Sequence, residues 1–190
     1  ISVTKAQTIS GNLYQLTNQE IRLEGFNGLN TYSISKTVIN EKGEFELSYT
    51  TKDRGVGYLM SADNKPLFVI LSGEDIQLQG EALSIPESIS ITRGEQNKNF
   101  EQYALEQPKR EQALSAWGYL QKMYAVDSLF LIHSEPLKAI EEERQRIKTE
   151  EKSFLNQLPK ESYVSWFLPT RKLVSSVSTV AQYRPDEIPN

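Results

Sequence analysis

His133 is the one side chain here whose ordinary titration range spans neutral pH, and it sits directly before Ser134 and Glu135. A histidine, a serine and an acid name the parts of a nucleophilic triad. Neighbours in sequence do not reach triad geometry, however, and the chain has no G-x-S-x-G elbow. The expectation for His133 is a surface position beside a helix end. Carboxylates offer the second chemistry, at Glu74-Asp75 and Glu141-Glu142-Glu143. A glycosidase needs two of them facing across a cleft. Glu74 and Asp75 lie in a turn leading into a strand, where alternation sends successive side chains to opposite faces. The three glutamates fit the solvated face of a helix. With no cysteine and a single histidine, thiol redox chemistry, thiolate catalysis and cysteine-ligated metal sites are excluded within the chain. No catalytic, cofactor-binding or metal-binding residue is expected.

Binding is a weaker demand than catalysis, and here the aromatic residues matter. Tyr49 and Tyr58, with Phe26 and Tyr32, are candidates for a stacking surface, and Glu74 and Asp75 for polar contacts to a ligand or partner. Packing in the core or in cross-strand pairs is the competing use of such aromatics. Phosphate-binding loops are missing: no G-x-x-x-x-G-K-S/T occurs, and Gly55-Val56-Gly57 lacks the strand-to-helix setting. Residues 1–93 carry 8 basic and 11 acidic side chains, and residues 94–190 carry 13 and 14. Neither part has the basic excess a nucleic acid requires, so nucleic acid is not an expected partner.

Those residues must be positioned by elements, and the hydrophobic rhythm names them. Before Gly94 apolar residues alternate, as Phe45, Leu47 and Tyr49 do. After it they recur every three or four positions, as Leu114, Trp117, Leu120 and Tyr124 do. The fold class expected is α+β: an N-terminal antiparallel β-sandwich or barrel of about eight strands, then a helical segment of three to five helices. Strands are expected over Thr8–Leu13, Glu20–Phe26, Thr31–Ile39, Glu44–Thr50, Val56–Ser61, Pro66–Leu71, Asp75–Gly80 and Ser88–Thr92. Hairpins are expected at Asn40–Gly43, Ala62–Pro66 and Ser72–Glu74.

Beyond Gly94 a short helix through Phe100, Tyr103 and Ala104 should stop before Pro108, where a second should begin. Ser134-Glu135-Pro136 reads as a capped restart. It opens a helix over about Leu137–Leu158, with Ile140, Ile147 and Phe154 inward and Glu142, Arg146 and Glu150 in solvent. Two short helices, Lys160–Leu168 and Thr170–Gln182, should be split by Pro169. The division expected is 1–93 for the β domain and 94–190 for a helical region packed on it, with one shared core. No apolar run approaches the ~20 residues of a membrane span.

Three stretches carry a family likeness. They are Val38-Ile39-Asn40-Glu41-Lys42-Gly43-Glu44-Phe45-Glu46-Leu47, Phe68-Val69-Ile70-Leu71-Ser72-Gly73-Glu74-Asp75-Ile76-Gln77-Leu78, and Ile91-Thr92-Arg93-Gly94-Glu95-Gln96-Asn97-Lys98-Asn99-Phe100. In order and spacing they resemble the DUF4369-type N-terminal domain of Bacteroidetes thioredoxin-like proteins of the TlpA/ResA type. The likeness covers about Ile9 to Tyr103, and the helical remainder resembles the spacer that follows in such proteins. Active members carry a Cys-x-x-Cys thioredoxin domain, to which nothing here corresponds, so no catalytic residue carries over.

The resemblance implies a piece of a longer exported protein in the cell envelope, periplasmic or lipid-anchored, with its signal segment absent here. The function it implies is a non-catalytic accessory module that positions a thioredoxin-like domain or recognises an envelope protein substrate. Two alternatives stand beside it. One is an independent carbohydrate- or peptide-binding module, and the other an acid/base hydrolase using Glu74 or Asp75.

Overall fold

The computed structural model describes residues 6–28, 30–62 and 65–172. Eight strands precede the helices: β1 Gln7–Leu13, β2 Glu20–Asn27, β3 Asn30–Val38, β4 Glu44–Tyr49, β5 Gly55–Met60, β6 Leu67–Leu71, β7 Ile76–Gly80 and β8 Ser90–Arg93. They form two four-stranded sheets, ordered β4-β1-β7-β8 and β3-β2-β5-β6. The α+β class and the β-then-helix order are as the rhythm predicts. One apolar cluster fills the β unit. Ile9, Leu13, Leu47, Tyr49, Ile76 and Leu78 come from the first sheet, and Ile21, Leu23, Leu59, Val69 and Leu71 from the second. Alternation along β4 is complete: Phe45, Leu47 and Tyr49 are buried while Glu44, Glu46 and Ser48 are exposed.

Pairing departs from the expectation at two turns. Only the turn at Ala62–Pro66, with Asp63 and Asn64 outside the described residues, joins paired strands, β5 and β6. Asn40–Gly43 and Ser72–Glu74 instead carry the chain from one sheet to the other. Turn chemistry reverses the chain but does not choose the strand that pairs next. At the first turn Asn40 Oδ1 accepts from the Lys42 and Glu44 N–H groups, and Gly43 has the positive φ (82°) expected of it. The backbone meanwhile changes partners, Ile39 bonding to residues 18 and 19 and Gly43 receiving the Leu13 N–H. A hairpin outside those expected joins β2 and β3, whose last pair, Asn27 and Asn30, brackets a tight loop opened by Gly28 at a φ of 63°. The central β1–β7 pair is parallel, an exception to the antiparallel expectation.

Gly94 ends β8 and opens α1, Glu95–Val126. Its φ of 109° lies where a side chain is strained, so the change of rhythm coincides with a backbone bend that glycine accommodates. The expected break before Pro108 is absent, because α1 runs through it. A proline inside a helix costs about 3 kcal/mol. Arg110 pairs with Glu106, and Gln107 donates to Glu111, i,i+4 links across the proline that return only about 0.2–0.5 kcal/mol each.

α2 spans Ser134–Gln157 with Ile140 and Ile147 buried as expected. His133, not Ser134, is its N-cap residue, and it makes no side-chain cap. Arg146 pairs with Glu150 as expected, and with Glu143. A third helix, α3, is described over 163–172 and includes Pro169, so the expected split there is not seen. The rest of the Thr170–Gln182 expectation lies outside the described residues.

The chain divides into two compact units, Ile1–Glu101 with Ser162–Val164, and Gln102–Glu161 with Ser165–Asn190. The first two turns of α1 therefore belong to the β unit, and the boundary falls at 101/102 instead of 93/94.

Within the β unit, Asn97 on α1 closes the edge of β6. Its Oδ1 accepts from the Ile70 N–H at 2.8 Å and its Nδ2 donates to the Ile70 carbonyl at 2.9 Å. Asn97 is 2% exposed and Ile70 fully buried. Asn97→Ala leaves two buried backbone groups unpaired and is expected to lower stability by about 2–4 kcal/mol, read as a fall in urea midpoint. An unchanged midpoint contradicts this role.

Candidate functional site

The outward face of the second sheet is the region with most to offer a ligand. On β2, Arg22, Glu24 and Phe26 share this face, and register places Glu24 beside Tyr58 of β5 and Tyr58 beside Phe68 of β6. The rings form a chain: Phe26 and Tyr58 centroids lie 5.5 Å apart, Tyr58 and Phe68 6.2 Å, tilted by 54° and 60°. Phe26 is 45% and Phe68 49% exposed, so the two ends of the chain are open while its centre is half-buried. Two residues beyond Phe68 on the same face, Ile70 is closed off completely.

Polar groups run beside the rings. The Tyr58 hydroxyl donates to Glu24 Oε2 at 2.5 Å, and Arg22 Nε contacts Glu24 Oε1 at 2.5 Å. The Tyr58 hydroxyl, then Arg22, hold the Glu24 carboxyl below its usual 4.5, burial opposing them. The same bond raises the Tyr58 phenol. At one end lies a hollow of about 320 Å³ lined by Phe26, Tyr32, Lys52, Asp53, Arg54 and Tyr163, among others. Tyr32 donates to Asp53 Oδ1 there at 3.0 Å, and Asp53 in turn accepts from the Thr50 N–H and hydroxyl in a capping box.

Of the four predicted contact residues, Tyr58 alone belongs to this face. Tyr49 is a core residue, 1% exposed. Its hydroxyl donates to the Glu74 carbonyl and accepts from the Gly73 N–H, fixing the turn between sheets, and burial pushes its phenol up to about 12. A ring so enclosed is not presented to a ligand, which corrects its nomination as a contact. Glu74 and Asp75 line one shallow depression with Arg93 and Lys98 instead of pointing to opposite faces, because both precede β7. Glu74 Oε2 accepts from the Gln96 N–H in the first turn of α1. Asp75 Oδ1 accepts from the Thr8 N–H at 3.1 Å, and Asp75 Oδ2 lies 3.3 Å from Arg93. Both carboxylates hold the fold. Phe68 was hidden from the sequence reading inside the apolar run Leu67–Leu71, and its aromatic type next to the strand start was the signal.

The helical unit has a polar cluster that sequence did not disclose. Glu151, 4% exposed, accepts from the Tyr103 hydroxyl at 2.9 Å and from Lys172 Nζ at 2.7 and 2.6 Å. Burial first, then Glu151, raise the Tyr103 phenol. A cavity of about 150 Å³ beside it is lined by Tyr103, Gln107, Pro108, Glu111, Leu168 and Lys172, among others. Among the described residues no group of three or more His, Cys, Asp or Glu side chains is placed to hold a metal ion, and no helix is long and apolar enough to cross a membrane.

No protein-family model and no curated protein matches the chain. Among solved structures, a 9R-lipoxygenase from Cyanothece PCC8801 aligns at 22% identity over 33% of this chain and 12% of its own length, with a TM-score of 0.26. A likeness so slight carries neither fold nor activity.

The Glu24 pairing has a pH signature. A carboxyl lowered on folding adds stability above its unfolded value of about 4.5, and that stability drains away as pH falls through the folded value. Removing the hydroxyl in Tyr58→Phe is therefore expected to flatten the loss of melting temperature on acidification below about pH 4.5. Parallel curves for the two proteins are the contrary result.

Proposed function

We propose that this chain is a non-catalytic interaction module of a cell-envelope thiol–disulfide oxidoreductase-like protein, periplasmic or lipid-anchored. Its working surface is the Phe26–Tyr58–Phe68 face. That surface meets a thioredoxin-like domain or the protein substrate of one. The observation carrying this reading is a division of labour within the β unit. Motif residues Gly43, Gly73, Gly94 and Asn97 are occupied with turns and edge closure, and Glu74 and Asp75 with backbone donors. The aromatic rings on the outward face of the second sheet remain half open. Two half-exposed rings flanking a buried-in-part third suit an apolar side chain inserted between them, and aromatic anchors dominate interface energies.

A second reading, an independent peptide- or carbohydrate-binding module, draws on the same exposed rings. Tilts of 54° and 60° favour peptide over sugar, since a sugar chain stacks best on rings that share a plane. A hydrolase using Glu74 or Asp75 gains nothing from a depression where both carboxylates serve backbone donors.

Calorimetry with a separately purified TlpA/ResA-type thioredoxin domain tests the reading. Binding is expected, weakened at least about tenfold in Phe26→Ser/Phe68→Ser, with stability changed by roughly 1 kcal/mol or less because both rings are half exposed. Insulin reduction by this chain alone, or equal binding by the variant, counts against it. Signals on a glycan array lost in the same variant favour the second reading.

A further inference from the structure

We propose that the hollow at the Phe26 end of the aromatic face receives a carboxylate of the partner, an Asp or Glu side chain on an extended peptide segment, with Lys52 and Arg54 as its counter-charges. This rests on the reading of the Phe26–Tyr58–Phe68 face as an interaction surface, and adds the charge of what is bound there. The hollow lies within the β unit and measures about 320 Å³, at the lower end of the roughly 300–1,000 Å³ of ligand sites. Phe26 belongs both to its wall and to the chain of rings. A partner seated on the rings therefore has the hollow as its next contact.

Charge decides what enters it. Arg22, Lys36, Arg93 and Lys98 of the same unit each have a carboxylate oxygen within 3.3 Å. Among the described residues Lys52 and Arg54, both exposed, have no such partner. Asp53 stands between them in sequence but is turned elsewhere. Its Oδ2 accepts from the Thr50 N–H at 2.8 Å and hydroxyl at 2.9 Å, and its Oδ1 from the Tyr32 hydroxyl at 3.0 Å. Two cations against one carboxylate leave the hollow one positive charge in excess, on a chain whose net charge is −4. A single excess charge matches a carboxylate, whereas a phosphate group carries about −1.5 to −2. The guanidinium fork of Arg54 is shaped to hold both oxygens of such a group.

The loop carrying the two cations is shaped before any partner arrives. Thr50 and Asp53 close a capping box around Thr51–Asp53, and Gly55 follows at a φ of 147°, which glycine enters without strain. Neither cation has to be drawn away from an acid of its own, so binding costs the ordering of two exposed side chains and little more. In an extended peptide alternate side chains leave on one face about 6.6 Å apart, comparable with the 5.5 Å between the Phe26 and Tyr58 rings. An apolar side chain set against the rings thus places the residue two positions along at the hollow.

Selection of a displayed random peptide library on the full chain tests the proposal, with the enriched peptides then synthesised in acid and amide forms for fluorescence anisotropy. Asp or Glu is expected two positions from an apolar residue, and the amide form is expected to bind about fivefold more weakly at low salt, the gap closing at high salt. Lys52→Glu/Arg54→Glu is expected to select Lys or Arg at that position instead, a reversal that a misfolded protein could not produce. Apolar peptides enriched without an acid, or the same acidic preference in the charge-reversed variant, overturn the carboxylate site and leave the aromatic face standing. No enrichment, or binding undiminished in Phe26→Ser/Phe68→Ser, overturns both. Displacement of the acidic peptide by equimolar inorganic phosphate assigns the hollow to a phosphate group and likewise overturns the proposal.

Discussion

The β unit depends on an amide that behaves as a piece of strand. Edge strands expose unpaired N–H and C=O groups, and β6 would offer its own at Ile70. Asn97 reproduces the donor and acceptor of a neighbouring strand and satisfies both from a helix. A neutral amide is suited to this position, since it fills both needs without the desolvation cost of a charge. Placing it there requires α1 to begin immediately after β8, which the bend at Gly94 permits. Glu74 then receives the Gln96 N–H, and Gln96 Oε1 in turn receives the Tyr163 N–H at 2.7 Å. Tyr49 holds the Gly73–Glu74 turn from inside the core. Residues far apart in sequence thus share one network, and no member of it is free to change alone.

This network explains which parts of the fold were legible. Strand positions follow from alternation where a strand buries one face, as β2, β4 and β7 do, and all eight fall within about two residues of the structure. The β-to-helix switch at Gly94 was equally plain, since period and backbone demand change at one residue. Strand partners were not legible. Asn40–Gly43 looks like a hairpin turn because its Asx geometry and glycine are those of a hairpin, while the decision to cross sheets is made by Gln19, Leu13 and other distant residues. Pro108 misled for a related reason. Its local preference to stop a helix is real, but α1 runs through it, and the links from Glu106 to Arg110 and from Gln107 to Glu111 return part of the cost.

Binding surfaces were legible in type but not in place. Tyr49 and Tyr58 are indistinguishable by composition, both aromatic and both in alternating strands. What separates them is the parity of each strand against the core, Tyr49 falling on the inner face of β4 and Tyr58 on the outer face of β5. Glu74 and Asp75 pose the opposite problem. Paired acids in a turn invite a catalytic reading, yet backbone N–H groups of Thr8 and Gln96 need acceptors just there. The chemical type of a side chain states what it can do, and the unpaired backbone groups around it decide what it does.

The two units solve the burial of polar groups differently, and the contrast bears on which surfaces can serve binding. In the β unit one buried polar side chain, Asn97, is a neutral amide serving two backbone groups. In the helical unit one is a carboxylate, Glu151, that two side chains must satisfy. A buried carboxylate is expensive to desolvate, and its partners become indispensable once it is there, since removing one leaves a charge uncompensated. Such a cluster fixes the register of α1, α2 and α3 more strictly than apolar packing alone, because sliding by one turn would break every contact to Glu151. Each unit thereby gains a firm framework, and in the β unit the paired sheet edge supports the aromatic face. Asn97 holds that framework in the β unit, and Glu151 holds it in the helical unit.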